Sequence, residues 1–85
     1  MFDLKQLEHA QSIVGAAMPS TPARAWPLLS ERLGATAIVK HENHTPTGAF
    51  KVRGGLVYVE RLNRERPGTP GLISATTGNH AQSIA

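Results

Sequence analysis

Two short apolar runs, Ala35-Thr36-Ala37-Ile38-Val39-Lys40-His41 and Leu72-Ile73-Ser74-Ala75-Thr76, are each followed by a polar, turn-forming loop and then by residues at helical spacing. Short runs of this kind, the first rich in β-branched residues and preceded by glycine, read as strands. The order strand, loop, helix, strand, loop, helix predicts an α/β architecture with a parallel sheet. In such a sheet, binding groups collect at the carboxyl ends of strands and the amino ends of helices. Both unusual loops, 42–51 and 76–80, fall at that edge.

The remaining elements follow from periodicity and punctuation. Asp3 can cap a first helix whose Leu4, Leu7, Ala10, Ile13 or Val14, and Ala17 form one apolar stripe, ending before Met18-Pro19. Pro19-Ser20-Thr21-Pro22 is a turn-rich crossing. Pro27 suits a helix first position and Gly34 a C-terminal cap, which predicts a helix over 27–33 with Leu28, Leu29 and Leu33 facing inward. Val52, Leu56, Val59 and Leu62 keep helical spacing through 50–62, Arg66-Pro67-Gly68-Thr69-Pro70-Gly71 breaks the chain, and a last helix starts near His80.

Composition narrows the class. At 85 residues, 40% hydrophobic and 18% charged, the chain reads as soluble and globular, with room for a small core and not for a deep two-sided cleft. Without cysteine there is no disulfide framework, thiolate metal site or thiol nucleophile. Neither a signal peptide nor a membrane anchor is read, so a reducing cytoplasm is the expected setting. The net charge of +3 comes from nine Lys and Arg scattered among six acids with few aromatics, a pattern that gives no support for nucleic-acid binding. Gln82-Ser83-Ile84-Ala85 reads as mid-helix, so the chain is expected to be a piece of a longer protein.

Thr47-Gly48-Ala49-Phe50-Lys51-Val52-Arg53-Gly54-Gly55 breaks local rules. Two cations stand in the first turn or so of a helix, where the dipole disfavours each by roughly 0.3–1 kcal/mol. Two adjacent glycines cost roughly another 1 kcal/mol apiece against alanine, unless a backbone or ligand must come close. Departures concentrated in one place mark a functional site. A lysine at a helix amino end, partly desolvated and beside another cation, loses its proton readily and can form a Schiff base. The plainer alternative keeps Lys51 and Arg53 on a solvated face, with the glycines marking a kink. A phosphate P-loop is excluded, because Gly48 stands only three residues before Lys51 and no Ser or Thr follows.

Ser74-Ala75-Thr76-Thr77-Gly78-Asn79-His80 places hydroxyls, a glycine and an amide between a strand and a helix amino end. Unpaired backbone N–H groups in such a turn suit a carboxylate or phosphate, while Thr77 or Asn79 could equally serve only as a cap.

Taken with Lys40-His41-Glu42-Asn43, these two segments resemble the fold-type II pyridoxal 5′-phosphate (PLP) enzymes, and within them the threonine and serine dehydratases and serine racemase. The likeness runs from about Thr21 to the last residue. It implies that residues 1–70 are the incomplete N-terminal part of a PLP-binding large domain and 71–85 the start of a small domain. Lys51 would form the Schiff base with PLP and move protons on one face of the substrate. Phe50 would pack against the pyridine ring and Asn79 would hydrogen-bond its 3′-oxygen. Thr76, Thr77, Gly78, Asn79 and His80 would hold the substrate carboxylate. The implied reaction converts threonine or serine to a 2-keto acid and ammonia, in a cytoplasmic dimer or tetramer. Thr77 stands where racemase-like members carry serine, with catalysis on the face opposite the lysine, so elimination is favoured over racemisation. Gly55 replaces the family's usual alanine, a small matter for packing. The family's glycine-rich phosphate loop and its partner for the pyridine nitrogen fall downstream, so these 85 residues alone are expected to be inactive.

Other features carry less. His41-Glu42-Asn43-His44 lacks the His-Glu-x-x-His spacing, so no metal is expected. Asn43-His44-Thr45 is a glycosylation triplet without a secretory context. Trp26 reads as a packing anchor and His9 as the polar face of its helix. The competing readings are a racemase, a β-replacing synthase, a threonine synthase and a non-catalytic anion-binding module; His80 after Gly-Asn leans away from the synthases.

Overall fold

The computed structural model describes residues 1–85, and its helices start and stop where local chemistry directs. Helix α1 (Leu4–Ala17) opens on a reciprocal cap: the Gln6 N–H donates to the Asp3 carboxylate, and the Asp3 N–H donates to the Gln6 side-chain oxygen. Strand β1 (Ala23–Ala25) leads through Trp26 into α2 (Pro27–Leu33), which has proline at its start and ends on Gly34 at φ 65°. That left-handed backbone is where glycine carries no Cβ penalty. Strand β2 (Ile38–Lys40), a single 3₁₀ turn at Glu42–His44, α3 (Lys51–Glu65) and α4 (Asn79–Ile84) complete the chain. No helix is long and apolar enough to cross a membrane.

The result is an α/β piece with four helices and a two-stranded sheet, although the parallel pairing expected of it is absent within these residues. β1 and β2 run antiparallel, with Ala23 opposite Lys40, Arg24 opposite Val39 and Ala25 opposite Ile38. Residues 72–76 form no strand, because a strand exists only through ladder bonds to a neighbour and β1–β2 is the one ladder formed. The Ala-Arg-Ala strand β1 escaped the sequence reading, since three residues without β-branching carry no local strand signal.

Packing runs along one line: α1 against α3, and α3 against α4. Buried apolar residues reduce to Met18 and Val52, in a body of 53 × 32 × 24 Å. Leu28, Leu29 and Leu33, expected to face inward, are 83%, 40% and 63% exposed. An apolar stripe is buried only where a second layer covers it, and α2 packs closely on none of the other elements. Trp26 is likewise half exposed; its indole N–H donates to His41 Nε2 at 3.1 Å. His9 faces α3, 3.7 Å from the Glu60 carboxylate.

Candidate functional site

The loop ahead of Lys51 is closed by its own side chains. Gly48 N–H donates to the Thr45 carbonyl at 3.0 Å, with Gly48 in left-handed backbone at φ 73°. The buried Thr45 hydroxyl accepts from Ala49 N–H at 2.9 Å and donates to Ala49 O at 2.7 Å. The loop therefore delivers Phe50 and Lys51 to the start of α3 in one conformation. Thr45→Val keeps the shape and removes both bonds, so it is expected to lower stability by about 1–2 kcal/mol in denaturant titrations.

Lys51 is the first residue of α3 and is exposed, not partly desolvated as its sequence setting suggests. Its Nζ lies 5.3 Å from the centre of the Phe50 ring, which is itself 57% exposed. Lys51 lines a cavity of about 480 Å³ with Gly54, Gly55 and Tyr58 from α3, Leu72, Ile73 and Ser74 from the segment before the bend, and His80 and Ile84 from α4. The amino ends of α3 and α4 thus open onto one space.

Of the residues singled out from sequence, Lys51 and His80 share that cavity. Thr76, Thr77, Gly78 and Asn79 are exposed at the bend leading into α4 and do not line it. Within the bend, Gly78 N–H donates to Thr76 Oγ1 at 3.0 Å. The N–H groups of Thr77, Asn79 and His80 find no acceptor within the chain, as helix-start geometry dictates for the last two. Of these donors, that of His80 belongs to a residue that lines the cavity, while those of Thr77 and Asn79 stand in the bend between the lining residues Ser74 and His80.

The second cation of α3's first turn has a different fate. Arg53 Nε donates to Glu42 Oε2 at 2.6 Å and its Nη2 to Oε1 at 3.0 Å, a two-pronged pair that offsets the unfavourable helix position. The buried Thr21 hydroxyl donates to Glu42 Oε1, and Lys40 Nζ lies 3.8 Å from the same oxygen. The Arg53 guanidinium, and after it the Thr21 hydroxyl, hold the Glu42 carboxyl at about 2, against a burial cost that pushes upward. The same pairing raises Arg53. In the sequence Glu42 stands in a segment of the family likeness and in a histidine cluster without metal-binding spacing, and neither points to Arg53. The signal for the pairing is the misplaced Arg53, which calls for an acid, and Glu42 is the acid in the preceding loop.

A depressed carboxyl stabilises the fold fully above its unfolded value near 4.5, and that stability disappears as pH falls toward about 2. With the Glu42 side chain 24% exposed, screening leaves about 1–2 kcal/mol of the nominal shift. Denaturant midpoints measured from pH 6 down to 2 are expected to fall across this window. Glu42→Gln is expected to lower the midpoint at pH 6 and to flatten the slope.

Gly55 is buried, and the reason is geometric. A Cβ there would lie 2.2 Å from the Ser83 carbonyl oxygen, 3.0 Å from its carbon and 3.1 Å from the Ser83 Cβ. The exchange of alanine for glycine, a small matter by sequence, is what lets α4 lie directly against α3. At Gly54 the same atom would meet nothing within 4 Å.

A primary amine lining a cavity, with unpaired N–H donors in the adjoining bend, is equipped to hold a carbonyl-bearing, anionic small molecule. Residues 16–85 match the family described as pyridoxal-phosphate dependent enzyme, and the chain belongs to that family. It is 33% identical over all 85 residues to the biosynthetic L-threonine dehydratase of Lactococcus lactis, 20% of whose length it spans. The L-threonine ammonia-lyase of Thermotoga maritima is 33% identical over the same 85 residues, 21% of that protein. The L-threo-3-hydroxyaspartate ammonia-lyase of Saccharomyces cerevisiae is 43% identical over 65 residues, 76% of this chain and 20% of that protein. The chain therefore spans about a fifth of the length of these relatives.

Proposed function

We propose that this chain carries the cofactor-holding lysine of a fold-type II, PLP-dependent lyase that converts threonine or serine to a 2-keto acid and ammonia. The observation that carries this reading is the shared cavity of Lys51 and His80, with Ser74 beside them. The donor set fits the cofactor: an unpaired amine for its aldehyde, the Phe50 ring next to that amine, and free N–H groups at the bend for an anionic group. Likeness to two threonine-deaminating proteins and one hydroxyaspartate lyase supports a small β-hydroxy amino acid as substrate.

When bound, the cofactor supplies an electron sink for charge developing at the substrate α-carbon. Lys51 would be the residue that holds it, through its primary amine. The Lys51 amine would then accept the substrate α-proton and return it where the β-hydroxyl departs as water. The net conversion would balance: one water leaves at the β-carbon, and one enters as the amino group departs as ammonia from the released product. The N–H groups of Thr77, Asn79 and His80, with the hydroxyls of Thr76 and Thr77, orient the substrate carboxylate from the bend. Gly78 would let the backbone of that bend come close to the substrate, and Asn79 would hydrogen-bond the cofactor's 3′-oxygen, a role that rests on family likeness. Thr77 is the candidate second catalytic group, and its stiff β-branched side chain favours elimination over racemisation. A cytoplasmic setting and a dimeric or tetrameric assembly belong to the same reading and rest on family likeness.

Borohydride reduction of the full-length protein loaded with PLP tests it. Hydride delivered to the carbon–nitrogen double bond fixes the cofactor as a secondary amine, and peptide mass mapping is expected to locate it on Lys51. Release of 2-keto acid from threonine and serine, at matched concentrations, ranks the substrates. A label on another lysine, or binding of an anion without keto-acid release, would sink the proposal, the latter in favour of a non-catalytic module.

A further inference from the structure

Helix α3 begins weakly. Phe50 caps it without a side-chain hydrogen bond, and its first turn contains no acid. Gly54 and Gly55 follow at once, each about 1 kcal/mol less favourable in a helix than alanine. A turn with so little intrinsic stability frays unless something outside the helix holds it.

Arg53 supplies the hold. Its fork grips both oxygens of Glu42 at 2.6 and 3.0 Å, and its Nη2 stands 3.4 Å from Thr21 Oγ1. Glu42 belongs to the 3₁₀ turn directly after β2, and Lys40 of β2 donates to the Thr21 carbonyl at 3.1 Å. The start of α3 is thereby tied to the one sheet in the molecule. Residues two apart on a helix point roughly 200° from each other. Arg53 therefore faces the α1 side, where it lines the space between α1 and α3, while Lys51 lines the cavity against α4.

We infer that Glu42 is a positioning residue for Lys51: by anchoring Arg53 on the back of the first turn of α3, it sets the direction in which the Lys51 amine meets the cavity. This inference rests on Lys51 being the cofactor-holding lysine. A purely scaffolding role for Glu42 would lower stability and leave the behaviour of the amine unchanged, so the two roles separate by measurement.

The experiment compares the full-length protein with its Glu42→Gln, Glu42→Asp and Thr21→Val variants. One readout is the rate at which added PLP becomes fixed on Lys51, followed by timed borohydride quenching and mass mapping. A second uses the cofactor-free protein: reductive methylation by formaldehyde and cyanoborohydride, with labelling of Lys51 expressed relative to Lys5 on α1. Glu42→Gln is expected to slow fixation roughly tenfold, the loss appropriate to one charge-assisted fork, and to change the Lys51-to-Lys5 labelling ratio at least about twofold. Glu42→Asp, which keeps the charge on a shorter arm, is expected to recover part of both effects.

A Glu42→Gln protein with a lowered melting temperature but unchanged fixation rate and labelling ratio overturns the inference and leaves the role of Lys51 intact. A wild-type label away from Lys51 overturns both. Should Glu42→Gln fail to fold, Thr21→Val decides the matter, since it keeps the ion pair and removes only the hydroxyl bridge. A slowing of roughly two- to threefold is then expected, and no slowing overturns the inference.

Discussion

Gly55→Ala is expected to loosen α4 from α3 and to lower the stability of the full-length protein by about 2–3 kcal/mol, toward the upper part of the range for overpacking. The added methyl would stand 2.2 Å from a main-chain oxygen, and a carbonyl cannot rotate out of the way as a side-chain tip can. The whole of α4 must shift instead, by roughly an ångström, and His80 shifts with it. Gly54→Ala provides the control one residue earlier. It meets nothing within 4 Å, so the only change there is the loss of unfolded-state freedom and the gain in helix propensity, worth about 0.5–1 kcal/mol in the stabilising direction. Denaturant midpoints of opposite sign for two neighbouring glycines, with faster amide exchange in α4 for Gly55→Ala alone, are the expected result. Equal effects at both positions would show that Ser83 does not press on α3.

That pair of glycines also shows what a sequence can and cannot reveal. Their presence inside a helix is legible as a local conflict, and so is the general remedy, a close approach by another backbone. Which of the two is approached, and by what, depends on the angle at which α4 meets α3, and no local pattern encodes that. The same division holds for the two cations. Both violate the dipole rule equally in sequence, yet Arg53 is reconciled by Glu42 and Thr21, eleven and thirty-two residues away, whereas Lys51 is left without an ionic partner.

Helix limits were readable because they are set within a few residues: the Asp3–Gln6 cap, Pro27 at the start of α2, and the left-handed Gly34 at its end. Strands were less so. Ile38–Lys40 pairs because Ala23–Ala25 lies beside it, a partner with no strand signature of its own. Leu72–Thr76 has a stronger signature and no partner, and it forms no ladder. For the same reason Leu28 and Leu33 keep the pattern of a buried face while standing exposed. Pattern records what a face is suited to, and burial records whether another layer lies on it.

Substitutions at Lys51 separate the enzymatic reading from its non-catalytic rival by size of effect. If the amine both holds the cofactor and carries the α-proton, Lys51→Ala is expected to lower kcat by at least about 10²–10⁴-fold through loss of the proton transfer alone. Lys51→Arg, which keeps the charge but cannot bond to an aldehyde or give up a proton, is expected to be no better. A small primary amine added to the Lys51→Ala protein should restore part of the rate, because the missing group is a base of ordinary chemistry in an open cavity and not a structural strut. If the chain only binds an anion, Lys51 contributes as one exposed cation, about 0.2–1 kcal/mol, so Lys51→Ala would weaken binding only a few-fold and Lys51→Arg would be nearly silent. The two expectations differ by more than an order of magnitude and diverge most sharply at arginine. The Lys51→Arg variant, assayed for keto-acid release and for binding of inorganic phosphate side by side, is therefore the substitution on which the two readings cannot both survive.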